Sequence, residues 1–161
     1  MAKKSAGLVL YRSTSGAVEV FLVHPGGPFW AKKDEAAWSI PKGEIAEGEE
    51  ALEAAKREFH EETGFAVDGV FEALEPVRQA GGKMVYAWLI EGDIDASAIH
   101  SNTFSMEWPP RSGKTQEFAE VDRGGWFDLA TAGKKIVKGQ APLLEQFQEK
   151  WKSKSTTQGN R

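Results

Sequence analysis

The chain has no cysteine among its 161 residues, which excludes disulfides, thiol nucleophiles and sulfur-ligated zinc, so that any metal must be held by oxygen or histidine. It also lacks an excess of positive charge. The formal net charge is −4, whereas a protein that reads nucleic acid through its phosphates needs a basic face. General nucleic-acid binding is therefore not expected, and a phosphate substrate has to be recruited by metal ions and a few local lysines and arginines. Long apolar runs are missing as well. No stretch approaches membrane-spanning length, and the N-terminal MAKKSAG carries two lysines without a signal peptide's apolar segment. A cytoplasmic protein without membrane association is the expectation.

What is present fits one globular domain. Hydrophobic residues make up 40% and charged residues 27%, ordinary values for a soluble chain, and 161 residues allow one real core but not two. There is no internal repeat and no linker. The domain is expected over residues 1–151, with 152–161, which lacks apolar residues after Trp151, as a loose tail.

The densest chemistry lies between Gly43 and Phe65, in GEIAEGEEALEAAKREFHEETGF. From Glu49 to Thr63 the composition favours a helix, with glutamates in its first turn and Gly64 placed for a left-handed cap. On that helix Glu58, Glu61 and Glu62 stand at i, i+3 and i+4, so all three carboxylates project from one side, beside the apolar stripe of Leu52, Ala55 and Phe59. Like charges so placed repel by a few tenths of a kcal/mol per exposed pair, and more where water is excluded. A hard divalent cation resolves the repulsion, magnesium by default with manganese as substitute. Arg57, four residues after Glu53 and eight after Glu49, is placed to tie the helix to its leading loop as an orienting residue. A solvated glutamate-rich face is the alternative for such a run.

The rest of the chain reads mostly as strands and loops. Ser5 to Arg12 alternates, Val18 to His24 is β-rich, and Ser13 to Gly16 supplies turn residues, which predicts a hairpin. His24, at its end, either touches substrate or caps the sheet, the latter favoured. The loop Pro25 to Ala37 carries Phe29 and Trp30, which either stack on a nucleobase or plug the loop into the core. Lys32 and Lys33 read equally as phosphate contacts or solvated charges. Trp38 to Gly43 is a short strand, and Ala66 to Val77 and Lys83 to Glu91 are strands around the turn Gln79 to Gly82. Tyr86 and Trp88 share one side, read first as core. Gly92 to Ile99 is loop, Phe104 to Trp108 a strand stopped by Pro109 and Pro110, and Arg111 to Lys114 a basic turn that either grips phosphate or does not. Gly125 to Asp128 is a further strand, and Leu129 to Val137 and Ala141 to Trp151 are helices.

The segment from Gly43 to Phe65 resembles the Nudix box. Gly43, Glu49, Arg57, Glu58, Phe59, Glu61, Glu62, Gly64 and Phe65 match its specified positions without a departure. The resemblance implies an α/β fold of the Nudix α/β/α sandwich type, a mixed sheet flanked by helices. It implies magnesium held by Glu58, Glu61 and Glu62 with the Gly43 carbonyl, and hydrolysis of a phosphoanhydride in a nucleotide-type small molecule. Glu49 and Gly64 orient the box. The base is not fixed in this superfamily; Glu58 and Glu61 are candidates within the box, and an acidic residue outside it often contributes, here Glu117 first and Glu120 second. Trp38-Ser39-Ile40-Pro41-Lys42-Gly43 resembles the same stretch of the dinucleoside polyphosphate hydrolases, which implies that Lys42 faces the phosphate chain. The substrate-binding set is then Lys42, Trp30, Lys32 and Arg111, and the substrate a dinucleoside polyphosphate such as diadenosine tetraphosphate. Nucleoside triphosphate pyrophosphohydrolases and RNA 5′ pyrophosphohydrolases share the box and remain alternatives, and a non-catalytic nucleotide sensor is the alternative of another class. Oligomeric state is not encoded in any motif.

Overall fold

Strand β1 (Lys4–Thr14) is the spine of a mixed sheet in the computed structural model, which describes residues 3–14 and 16–159, the last six without their side chains. Its alternation sorts side chains between two cores: Ala6, Leu8 and Leu10 enter one, Val9 and Tyr11 the other. Strand β2 (Ala17–Pro25) returns antiparallel from Tyr11↔Val20 to Thr14↔Ala17, forming the expected hairpin; Ser15 of its turn lies outside the described residues. On the opposite edge β6 (Met84–Glu91) runs parallel to β1, and β9 (Val121–Asp128) pairs antiparallel with β2. Strand β3 (Lys42–Glu44) takes Ser5 to Gly7 of β1. Glycine is needed in β1 there: a Cβ on Gly7 would lie 2.5 Å from the Pro41 carbonyl and 2.7 Å from Lys42 Cβ.

Helices cover both faces. Helix α1 (Ala51–Thr63) lays Ala54, Ala55 and Phe59 on one core, and α2 (Leu129–Lys135) with α3 (Ala141–Gly159) closes the other through Ala132, Leu143, Leu144 and Phe147. Burying a ring such as Phe59 is worth about 1.5–3 kcal/mol. Among the described residues no helix is long and apolar enough to cross a membrane.

Several boundaries differ from expectation, each for a local reason. Helix α1 begins at Ala51, not Glu49, because Glu50 is the extended cap residue and Glu49 is drawn to Arg57 instead. Ala66 to Val77 is not one strand but the short pieces β4 (Glu72–Ala73) and β5 (Val77–Arg78) on the β6 edge, split at Pro76, which has no N–H to give a ladder. Strand β9 starts at Val121, four residues earlier than expected. Its Gly124 and Gly125 clear space for rings: added Cβ atoms would lie 2.6 Å from Phe21 Cζ and 2.8 Å from Phe127 Cζ. Strands β7 (Thr103–Glu107) and β8 (Thr115–Ala119) pair into a separate two-stranded sheet, β8 being a strand that the sequence did not announce. Helix α2 stops at Lys135, short of Val137, and α3 continues through Gly159 into the segment expected as a tail, with Asn160 and Arg161 outside the described residues.

Candidate active site

Helix α1 delivers its carboxylates into a cavity of about 560 Å³ between β3, the start of β6 and the root of the β7–β8 hairpin. Glu58, Glu61, Glu62 and Glu120 line it, together with Gly43, the ammonium-bearing Lys42 and Lys83, and Asn102 and Thr103. At the helix end Gly64 takes φ 80° and its N–H donates to the His60 carbonyl at 2.7 Å, so the chain turns away directly after the last glutamate.

Arg57 organises the set. Its Nε donates to Glu49 at 2.9 Å, Nη1 to Glu58 at 2.7 Å and to Glu61 at 3.0 Å, and Nη2 to the Glu44 carbonyl and to Glu49, both at 3.0 Å. All five of its N–H groups are thereby engaged, which leaves none for a substrate. Glu49, which also accepts the Ala46 N–H at 2.9 Å, is pulled down to a pKa of about 2 by the guanidinium first and that N–H second. The guanidinium is in turn held still more firmly charged.

Burial acts the other way deeper in the pocket. It pushes the Glu58 carboxyl up, against the pull of Arg57 and with the help of Glu61. Glu62 is pushed up strongly by burial, the Lys42 ammonium and the Lys42 N–H opposing and Glu58 and Glu120 reinforcing. That N–H donates to Glu62 Oε1 at 3.2 Å. Lys42 is pushed down by burial and by Lys83, with Glu62 and Glu58 pulling back. Crowded, desolvated carboxylates of this kind are stabilised in their charged form by a cation.

The donor set fits a hard divalent metal in kind: the carboxylates of Glu58, Glu61, Glu62 and Glu120, with Glu44 also on the lining, and the Gly43 carbonyl of β3, all oxygen. Among the described residues no three carboxylates or imidazoles are gathered closely enough to cage an ion as they stand, Glu58 and Glu61 being drawn to Arg57. Gly43 has no room for a side chain, since a Cβ there would run into the Glu58 carboxylate.

Of the other residues singled out in sequence, Trp30 lines a neighbouring cavity while Lys32, Arg111 and Glu117 line neither. Arg111 lies in the hairpin turn with its N–H on Glu107, and Glu117 accepts the Thr103 hydroxyl at 3.2 Å. Glu120, past the end of β8, is the acidic residue outside the box that reaches the cavity, because the chain bends there: its N–H donates to Asn102 O at 2.8 Å and its carbonyl accepts from Gly26 at 2.9 Å. Lys83 was missed. Only the parallel pairing of β6 with β1, which sets Met84 opposite Lys4, brings it beside Lys42, and no local pattern announces that. Phe29 and Trp30 do not plug the core, being 61% and 36% exposed. His24 is fully buried and caps the sheet: Nδ1 lies 2.9 Å from Asp122 Oδ1 and Nε2 2.6 Å from the Lys33 carbonyl. Trp88 packs on the α1-side core, as read.

The NUDIX domain profile matches residues 1–147. The chain is 30% identical over 126 residues to an RNA pyrophosphohydrolase of Brucella anthropi, a match spanning 68% of this chain and 66% of that one. It is 37% identical over 119 residues to an 8-oxo-(d)GTP phosphatase of Mycolicibacterium smegmatis, spanning 66% of this chain but only 34% of the relative. The crystal structure of a C. elegans Ap4A hydrolase binary complex superposes with a TM-score of 0.61 at 26% identity, covering 92% of this chain and 96% of the other. With the profile matching residues 1–147 of 161, the chain belongs to the NUDIX domain family, the Nudix hydrolases.

Proposed function

We propose that this chain hydrolyses a phosphoanhydride bond in a dinucleoside polyphosphate of the diadenosine tetraphosphate kind. The observation that carries the reading is the pairing, within one cavity, of the carboxylates Glu58, Glu61, Glu62 and Glu120 with the ammonium groups of Lys42 and Lys83, neither of which forms an ion pair among the described residues. Glu58, Glu61, Glu62 and the Gly43 carbonyl would hold magnesium, which when bound neutralises phosphate oxygens and acidifies a water. Lys42 and Lys83 take the remaining charge of the polyphosphate chain. Trp30 offers its face to a base. Arg57 is a positioning residue: with every donor engaged, it acts through Glu49, Glu58 and Glu61. Glu120, which lines the cavity outside the metal-holding set, accepts the proton of the attacking water. Glu120 is the acidic residue outside the box in this reading, in place of the expected Glu117.

The Trp38 to Gly43 resemblance and the likeness to the C. elegans Ap4A hydrolase favour the long phosphate chain. The Brucella anthropi relative favours a triphosphorylated RNA 5′ end as the second reading. Glu61→Gln and Glu62→Gln should each lower turnover by about 10²–10⁴-fold while the melting temperature holds. Unchanged hydrolysis of every phosphoanhydride in both variants would remove the mechanism, and retained nucleotide affinity without turnover in the unmodified chain would point to a sensor.

A further inference from the structure

Two of the three large hydrophobic side chains recorded as exposed among the described residues, Phe29 and Trp30, stand together on one loop beside the carboxylate cavity. They form one side of a second cavity of about 400 Å³, whose other side is Phe104 and Met106 on the β7–β8 hairpin. Glu120 lines both cavities, so the apolar slot is adjacent to the carboxylates and lysines. A volume of this size suits a planar ring system.

The hairpin is held in fixed relation to the glutamates. The Asn102 N–H donates to the Glu61 carbonyl on α1 at 2.8 Å, the Glu120 N–H to Asn102 O at 2.8 Å, and the Gly26 N–H to Glu120 O at 2.9 Å. This backbone chain links carboxylate helix, hairpin and aromatic loop. Two ring contacts tie the loop to the hairpin: Trp108 meets Phe29 edge-on at 5.5 Å, and Gly27, at φ 95°, has a bare Cα that lets the Phe104 ring approach to 3.0 Å from where a Cβ would stand.

We propose that the β7–β8 hairpin is the element that selects a base-bearing substrate, with Phe104 and Met106 as the wall opposite Trp30 between which a purine is stacked. This rests on the reading that the phosphates lie in the adjacent carboxylate cavity. Among the described residues the only charged side chain on the slot is Glu120, at its phosphate end, so recognition is by the face of the ring rather than its edge. Stacking on aromatic faces is tolerant of which base is presented. The site therefore separates nucleotides from bare polyphosphates, and purines little from one another.

The test is calorimetric titration of the full chain, with magnesium, using α,β-methylene-ATP, α,β-methylene-GTP and inorganic tripolyphosphate, none of which requires turnover. The unmodified protein should bind both nucleotide analogues at least about 10-fold more tightly than tripolyphosphate, and the two within about threefold of each other. Met106→Ala and Phe104→Ala should each weaken the nucleotides about 5–10-fold and leave tripolyphosphate unchanged. Phe104→Leu, which keeps apolar bulk against Phe118, should do the same if the ring face matters. Equal affinity for nucleotide and tripolyphosphate in the unmodified chain overturns the proposal, as does a ratio unmoved by all three variants, or a parallel weakening of every ligand. A chain that keeps the affinity ratio but hydrolyses no phosphoanhydride would retain the slot and lose the proposed reaction; hydrolysis with a ratio near one would do the reverse.

Discussion

Replacing Arg57 by lysine keeps the charge and removes the fork, and the two have different consequences here. The guanidinium is about one-third exposed and makes five hydrogen bonds, four of them to carboxylates. At roughly 0.3–0.5 kcal/mol for each screened contact, Arg57→Ala should cost about 2 kcal/mol of stability. A lysine ammonium reaches one or two of these partners, so Arg57→Lys should recover about half of that loss. Activity should not recover in proportion. Glu58 and Glu61 are placed by two N–H groups of one rigid plane, and a flexible ammonium cannot hold both while also reaching Glu49 and the Glu44 carbonyl. Losing the partner that orients such groups costs about 10–100-fold, so both variants should fall by that factor in kcat/KM. The measurement is steady-state hydrolysis with magnesium beside thermal unfolding of each variant. If Arg57→Lys retains activity within about twofold, the fork has no positioning role and the saturation of its five donors is incidental.

Other perturbations separate the parts of the site. Gly43→Ala should lower activity about 10–100-fold with little loss of stability, because its Cβ displaces only the far end of the Glu58 side chain; unchanged kcat/KM would show that Glu58 is not needed where it lies. The Glu49 carboxyl is depressed from 4.5 to about 2 in the folded chain, so its contribution is complete above pH 4.5 and is lost as pH falls toward 2. Glu49→Gln should accordingly flatten the melting temperature against pH across that window, and a slope equal to that of the unmodified chain would contradict the pairing. Gln140 is fully buried, its Oε1 accepting the Ile40 N–H at 3.0 Å and its Nε2 donating to Ser39 at 2.9 Å. Gln140→Leu strands that N–H, should cost about 1–3 kcal/mol in denaturant unfolding, and should loosen the approach to Lys42; a cost below about 0.5 kcal/mol would mean the strand before β3 is held some other way.

The box was legible because its logic is local: the i, i+3, i+4 placement of Glu58, Glu61 and Glu62 and the eight-residue step from Glu49 to Arg57 are fixed by one helix and its leading turn. The division of β1 between two cores was equally readable from its alternation. What sequence withheld depends on chain segments meeting at a distance. Lys83 reaches the cavity only through a parallel strand pairing, and Glu120 lines the cavity where Glu117 does not because the chain bends after β8 onto Asn102 and Gly26. Strand β8 and the first half of β9 were obscured by polar residues and by glycines that serve ring clearance. Arg111 and Lys32 carry charge suited to phosphate, but neither is brought to the cavity.

The central claim is a reaction on a polyphosphate chain, and product analysis of the purified protein with magnesium tests it most directly. The panel is diadenosine tetraphosphate, ordinary and oxidised nucleoside triphosphates, nucleotide sugars and triphosphorylated RNA. The account predicts release of a nucleoside triphosphate from diadenosine tetraphosphate at a rate well above that of any other compound. Faster release of pyrophosphate from a mononucleotide or from RNA, or silence across the panel, would contradict it.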